Sequence, residues 1–329
     1  MSSAPSVSVI IPAYRVAEYI TDAIESILKQ TFRDYEIVVV NDGCPETDQL
    51  ERVLAPYRSQ ITYIRQENAG VGAARHTAVL AARGELITQL DPDDWWEPNY
   101  LEVQMEHLNR DPSLGFVYPD GWFFGDPALE GKRLTQFNPS HGEVTFSNLA
   151  IGRVSVVYSV LARKQAVMEA GNFDPAIRTS EDFDLWLRIL NAGYKAAYHE
   201  TPLLHYRIRG GSLTSNSLWT HEWAIRVIEK LESTLQLTAE EKDSLHRRRR
   251  SIETEIDLLV GKKAVEERDW TKAQAHLRRV LESRPNRKLS AALWMLRWCP
   301  AAVAAALNTR DALLEKGILR AQPPTHAHD

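Results

Sequence analysis

Two cysteines in 329 residues, Cys44 and Cys299, are too few and too far apart for a disulfide framework or a cysteine-rich zinc site. That scarcity fits a reducing cytosol. No apolar run approaches the ~18 residues of a membrane-crossing helix. Residues 289–307 come nearest and are interrupted by Arg297 and Pro300, which reads as a buried or interfacial helix pair. The first residues carry no basic stretch, and the apolar run at 7–11 is too short for the core of a secretory leader. Over the whole chain, whose net charge is −5, there is no basic excess either. Residues 1–220 hold 19 Lys and Arg against 28 Asp and Glu, whereas residues 221–329 hold 20 against 16. An acidic first part argues against nucleic acid as the main partner, because phosphate backbones are bound by basic surfaces. The remaining composition, 44% hydrophobic and 25% charged, is that of an ordinary globular chain.

Hydrophobic periodicity divides the chain into three stretches. Up to Leu90, apolar runs at 7–11, 35–41, 61–65 and 86–90 alternate with helical patterns at 18–30, 48–57 and 71–82. Continuously apolar strands separated by helices indicate a parallel sheet covered on both faces, a doubly wound α/β half. From 101 to 208 the alternation is irregular. Helices are expected at 101–109 and 182–190, strands at 156–161, 196–199 and 203–207, and an aromatic-rich segment spans 116–124. Beyond 217 the spacing is helical throughout, over 223–235, 239–261 and 265–283. Asp269-Trp270, Ala273, Leu277, Leu281 and Pro285 look like half of a tetratricopeptide repeat, but an array needs about three units. A helical hairpin packed on the main domain is the simpler expectation. The run His246-Arg247-Arg248-Arg249-Arg250 is either a solvated helix face or a contact for anionic lipid headgroups.

In doubly wound sheets ligands bind beyond the C-terminal ends of the strands. Pro12-Ala13-Tyr14 follows the first strand, Asn41-Asp42-Gly43 the second, and Asp91-Pro92-Asp93-Asp94 the fourth. Three carboxylates at one strand end repel one another unless a cation sits among them, which suggests a hard metal with oxygen ligands and hence a diphosphate. Helix capping ahead of Trp95-Trp96-Glu97-Pro98 is the plainer alternative for these acids.

The segments Val7-Ser-Val-Ile-Ile-Pro-Ala-Tyr14, Val38-Val-Val-Asn-Asp-Gly43, Glu67-Asn-Ala-Gly-Val-Gly-Ala-Ala-Arg75 and Leu90-Asp-Pro-Asp-Asp94 resemble family 2 nucleotide-sugar glycosyltransferases of the GT-A fold. Gly171-Asn-Phe-Asp174, Ser180-Glu-Asp-Phe-Asp-Leu-Trp-Leu-Arg188 and His205-Tyr-Arg207 with Ser212 extend the resemblance over about residues 6–215. It implies a Rossmann-like mixed sheet over residues 1–215, with a nucleotide-binding half at about 1–98 and an acceptor half at about 99–215. Residues 216–329 then form a helical extension. The resemblance also implies an inverting, metal-dependent transfer, with a UDP-sugar as the expected donor and Mg²⁺ or Mn²⁺ as cofactor. The expected acceptor is a surface glycan or lipid-linked saccharide.

Residue by residue, Asp93 is the expected metal ligand, with Asp94 assisting, and Asp91 lies nearer the ribose or uracil. Asp42 accepts from a pyrimidine N3–H. Pro12, Tyr14 and Asn68 belong to the donor site. Arg75 either contacts phosphate or holds the acid cluster. Asp182 is the general base. Arg207 and Ser212 lie over the diphosphate, and Arg209 stands where a His is commoner, which suggests phosphate contact there. His199, His205 and Trp186 read as structural. A cytosolic enzyme, a peripheral lipid contact through the tail and oligomerisation through the same helices complete the expectations.

Two rivals remain. A sugar nucleotidyltransferase should carry a Gly-rich basic loop after its first strand, where this chain has Pro12-Ala13-Tyr14-Arg15. A non-catalytic nucleotide-sugar-binding or scaffold protein should show a broken acid set, whereas Asp42, Asp91, Asp93 and Asp182 are all present.

Overall fold

The computed structural model describes residues 4–138, 140, 142–209 and 217–298. Two compact units are distinguished, Met1–Ser215 with Arg226–Leu245, and Asn216–Ile225 with His246–Asp329. The unit that holds the sheet thus takes in part of the helical region beyond residue 216.

The first half follows the expected alternation: β1 (Val7–Ala13), α1 (Ile20–Leu28), β2 (Tyr35–Asp42), α2 (Thr47–Leu54), β3 (Ile61–Gln66), α3 (Val71–Ala81) and β4 (Leu86–Gln89). Every residue of β1 is buried, as continuous apolar strands between helix layers require. Ile20, Ala23, Ile24 and Ile27 give α1 the single apolar face that covers the sheet. The second half contains β5 (Trp95–Trp96), α4 (Tyr100–Asn109), β6 (Leu114–Phe124), α5 (Phe146–Ala150), β7 (Leu161–Arg163), α6 (Lys164–Glu169), α7 (Glu181–Asn191), β8 (Lys195–Arg207) and α8 (Ser217–Thr234).

All eight strands form one mixed sheet in the order β3-β2-β1-β4-β7-β6-β8-β5. The first four are parallel, β7 runs antiparallel to both β4 and β6, and β8 lies parallel to β6. Since β1 pairs β2 on one side and β4 on the other, the strand order reverses there, the position at which open α/β sheets bind ligands beyond the C-terminal strand ends.

Several sequence expectations are corrected in the second half. Residues 156–160 are not a strand; pairing begins only at Leu161. The segment is used by its polar groups instead, because the Tyr158 carbonyl accepts from the Gln89 amide and the Ser159 hydroxyl accepts from the Trp96 indole. Trp95-Trp96 do not open a helix but pair with β8, and the helix starts at Tyr100. The aromatic segment is a long inner strand, β6, whose Pro119 sits at a register shift where a missing N–H is tolerated. The two short strands expected at 196–207 are one, bulged near Pro202.

The second unit contains the later part of α9 (Ala239–Glu266), α10 (Trp270–Ser283) and α11 (Arg287–Trp298). The pattern expected as one helix over 265–283 is broken by Arg268, with φ 60°, and restarted by Asp269, whose carboxylate accepts from the Lys272 N–H. Ala264, Val265, Ala273, Leu277 and Leu296 form its own apolar cluster. Within the basic run Arg248 and Arg249 are half-buried and Arg247 and Arg250 exposed, so it is not a uniformly solvated face. Among the described residues no helix is long and apolar enough to cross a membrane. Residues 299–307 of the apolar stretch expected at 289–307 lie outside the described residues.

Candidate active site at the strand ends

Asp42 ends β2 almost fully buried, and its carboxylate accepts hydrogen bonds from the Gln66 amide (2.8 Å) and from the Ala69 and Gly70 N–H groups (2.9 and 2.8 Å). It therefore fixes the loop entering α3. Two bonds to one oxygen and one to the other leave acceptor capacity for a base N–H. Asn68 donates its amide to the Asp42 carbonyl at 3.0 Å. Gly43 has φ +61°, and a Cβ there would lie 2.5 Å from Asn68 N, so glycine is required for this close approach. Pro12 is buried at the end of β1, and Tyr14 beyond it is 40% exposed.

Arg75, one turn into α3, donates to Asp91 Oδ1 at 2.7 Å and to Glu181 Oε1, with only 3% of its side chain exposed. Of the two tasks expected of Arg75, this pairing favours holding the acids. Gly72 makes the approach possible, since a Cβ there would lie 2.8 Å from the Ile177 carbonyl. Ser180, in the left-handed conformation (φ 65°), turns the chain into α7. Burial pushes the Glu181 carboxyl up to about 7, against the pull of Arg75. Asp182 is half-buried in the first turn of α7, where the helix dipole favours its charge, and one oxygen accepts from the Phe183 N–H at 2.7 Å.

The Asp91–Asp94 turn presents its carboxylates in different directions. Asp94 is buried and accepts from the Tyr158 hydroxyl (2.6 Å) and the Arg207 N–H (2.7 Å). Burial, then the charges of Asp93 and Asp91, holds its carboxyl well above the usual range. Both its oxygens are thus engaged by protein. Asp93 is paired through Oδ2 with Arg209 Nε, and its carbonyl accepts from Arg207 Nε at 2.8 Å. Arg207 also reaches Asp22 at 3.0 Å. The Arg207 and Arg209 guanidinium carbons lie 5.1 and 5.2 Å from the Tyr19 ring centre, against a cavity of ≈ 390 Å³ lined by Tyr19, Gly125, Asp126, Arg207, Ile208 and Arg209. Ser212 lies outside the described residues.

Among the described residues no three His, Cys, Asp or Glu side chains stand close enough to hold a metal by themselves. That still suits a hard cation bound by one or two carboxylates and completed by substrate phosphates. Within the turn, Asp93 has Arg209 as its sole ion-pair partner among the described residues.

Two participants, Tyr158 and Lys230, were missed in the sequence, as was the pairing of Glu181 with Arg75. Tyr158 joins the acid turn from both sides, since its hydroxyl also accepts from the Asp91 N–H at 3.2 Å. Glu181 is the buried partner of Arg75. Lys230 on α8 donates to Asp184 of α7 at 2.9 Å and to Asp174 at 2.7 Å. Only the acidity of the Glu181–Asp184 stretch hinted at such partners. His199 and His205 have structural partners: His199 bonds Gln104 and stacks on His107, and His205 stacks on Trp95 at 3.4 Å. Trp186 is 2% exposed, packed on Phe116 and Phe173.

Comparison with known proteins agrees with this geometry. Residues 8–155 match the family described as Glycosyl transferase family 2. TuaG of Bacillus subtilis, a candidate teichuronic acid biosynthesis glycosyltransferase, is 31% identical over 221 residues, which cover 64% of this chain and 82% of TuaG. Glycosyltransferases of Rickettsia felis and Rickettsia conorii, 34% and 32% identical, are longer, and the chain spans 31% of the length of each. Among solved structures, S. aureus TarS 1-349 in complex with UDP-GlcNAc superposes with a TM-score of 0.64 at 18% identity, covering 95% of this chain and 92% of that one. The mannosyltransferase PcManGT of Pyrobaculum calidifontis, in complex with GDP-Man and Mn²⁺, gives 0.61 at 18% identity over 94% and 88%. The sheet is of the GT-A type, and the chain belongs to glycosyl transferase family 2.

Proposed function

We propose that this protein transfers a hexosyl or N-acetylhexosaminyl group from a UDP-sugar to a hydroxyl of a surface glycan or lipid-linked saccharide, with inversion at the anomeric carbon. The observation that carries this reading is that Asp42 ends β2 and Asp91 follows β4 at the C-terminal edge of the sheet, where the strand order reverses, with Arg75 tying Asp91 to Glu181, the neighbour of Asp182. The likeness to a neighbour solved with UDP-GlcNAc supports the choice of nucleotide.

In this reading Asp42 accepts from the uracil N3–H while holding the loop at Asn68. Arg75 keeps Asp91 and Glu181 in place without touching the diphosphate. Asp182 takes the proton from the acceptor hydroxyl as its oxygen bonds to the anomeric carbon from the face opposite the donor phosphate. The bond from that carbon to the phosphate oxygen breaks, and UDP departs with the electron pair. Arg207 and Arg209 offer charge-assisted hydrogen bonds to the departing diphosphate. Asp93 would hold a divalent cation, Mg²⁺ or Mn²⁺, which would supply charge stabilisation to the departing diphosphate. Incubating the protein with UDP-, GDP- and dTDP-sugars and either cation, and measuring nucleotide release, tests the reading. Release of UDP above a no-enzyme control is expected, and its absence with every donor refutes it.

A further inference from the structure

Helix α11 buries Leu296 against Ala264, Val265, Ala273 and Leu277, with Leu289 and Leu293 packed beside them. One apolar stripe is enough to dock a surface helix, and the opposite side should then be polar. It is not. Trp294 and Trp298, one turn apart, are 66% and 65% exposed, and Met295 beside them is 40% exposed. With 100° per residue, Arg287, Trp294 and Trp298 fall within one narrow outward stripe, and Lys288 and Arg297 flank it on either side. All three basic residues are exposed, and Arg297 lies over the Trp298 ring at 5.7 Å.

Charge says what covers this face. From Trp270 to Trp298 the chain carries seven Lys and Arg against a single Glu, in a protein whose net charge is −5. Lys272, Arg278, Arg287, Lys288 and Arg297 are exposed and have no carboxylate partner among the described residues. A second copy would bring the same cations against these, which opposes pairing through this face. An anionic bilayer meets both demands. Indole rings settle at the level of the headgroups, and Lys and Arg around them are drawn to negative lipid. A short helix lying in the interface needs this combination, because a few apolar side chains alone bind weakly.

We propose that the outward face of α11 is a peripheral docking surface for anionic phospholipid, with Trp294 and Trp298 as the inserted groups and Arg287, Lys288 and Arg297 as the electrostatic contacts. This places the lipid contact on α11 and not on the run at Arg247–Arg250, where Arg248 and Arg249 are half-buried. It does not rest on the proposed transfer reaction.

The test is co-sedimentation of the full chain with vesicles of phosphatidylcholine alone or of equal parts phosphatidylcholine and phosphatidylglycerol. Binding to the anionic vesicles only, and its loss in ~0.5 M NaCl where surface charges are screened, are expected. Trp294→Ala with Trp298→Ala should weaken binding at least tenfold, and Arg287→Glu with Lys288→Glu and Arg297→Glu should abolish it. Circular dichroism that matches the parent shows these variants are folded. Absence of binding, equal binding to neutral vesicles, or binding unchanged in the folded variants overturns the proposal. So does self-association in sedimentation velocity that the tryptophan variant removes while vesicle binding is absent, since the face would then join two copies.

Discussion

Arg75 on α3 bridges Asp91, beyond β4, and Glu181, at the start of α7, from a position 3% exposed. One guanidinium therefore ties the nucleotide-side acids to the helix that carries Asp182. Removing one partner of a buried pair leaves an uncompensated charge and costs about 3–5 kcal/mol. Arg75→Met should lower unfolding stability by that order in urea titrations, and adding Glu181→Gln should recover part of it. Equal stability of Arg75→Met and the parent would show that the bridge does not hold the site.

Arg209 pairs with Asp93 and lines the cavity beside Tyr19. If it moves to the diphosphate when donor binds, Arg209→Ala should weaken UDP binding about tenfold, the equivalent of ~1.4 kcal/mol for one charge-assisted hydrogen bond. Calorimetry with UDP measures this. Tighter binding by the variant would instead make Arg209 a competitor for Asp93.

Lys230 reaches Asp184, which is fully buried, and Asp174. The sheet unit should then need residues beyond 215. A chain ending at Leu245 should melt cooperatively and bind UDP, whereas one ending at Ser215 should melt lower or aggregate. Indistinguishable melting of the two would remove any structural role for α8.

Burial, with smaller contributions from His107 and Arg110, pushes the His199 imidazole down to about 3. Its folded pKa lies below the unfolded value of about 6.5, so the unfolded chain binds the extra proton between these values. Stability contributed by neutral His199 is present above pH 6.5 and falls as the pH drops below it. Urea midpoints from pH 7.5 to 5 should decline for the parent and decline less for His199→Asn. Parallel curves would place the acid sensitivity elsewhere.

The first half of the fold and the acid turn could be read from local pattern, because β1, β2 and β4 are continuous apolar runs whose ends carry Pro12, Asp42 and Asp91. What could not be read depends on contacts distant in sequence. Residues 156–160 have the apolar, β-branched look of a strand, yet Tyr158 serves the acid turn through its hydroxyl. Pro119 disguised an inner strand, since only the bulge against β8 makes its missing N–H harmless. The partner of Arg75 lies 106 residues away, and no periodicity reports such a pair. Ser180 is likewise left-handed, with φ 65°, a conformation that its residue type does not announce.

In the proposed transfer Asp182 is the base and the other acids serve the donor. The most direct test is Asp182→Asn, with UDP-sugar affinity measured by calorimetry beside the rate of transfer. Donor affinity within about twofold of the parent and a kcat lower by ~10²–10⁴ are expected. A variant that transfers at the parent rate, or that loses donor affinity in step with activity, would contradict that role.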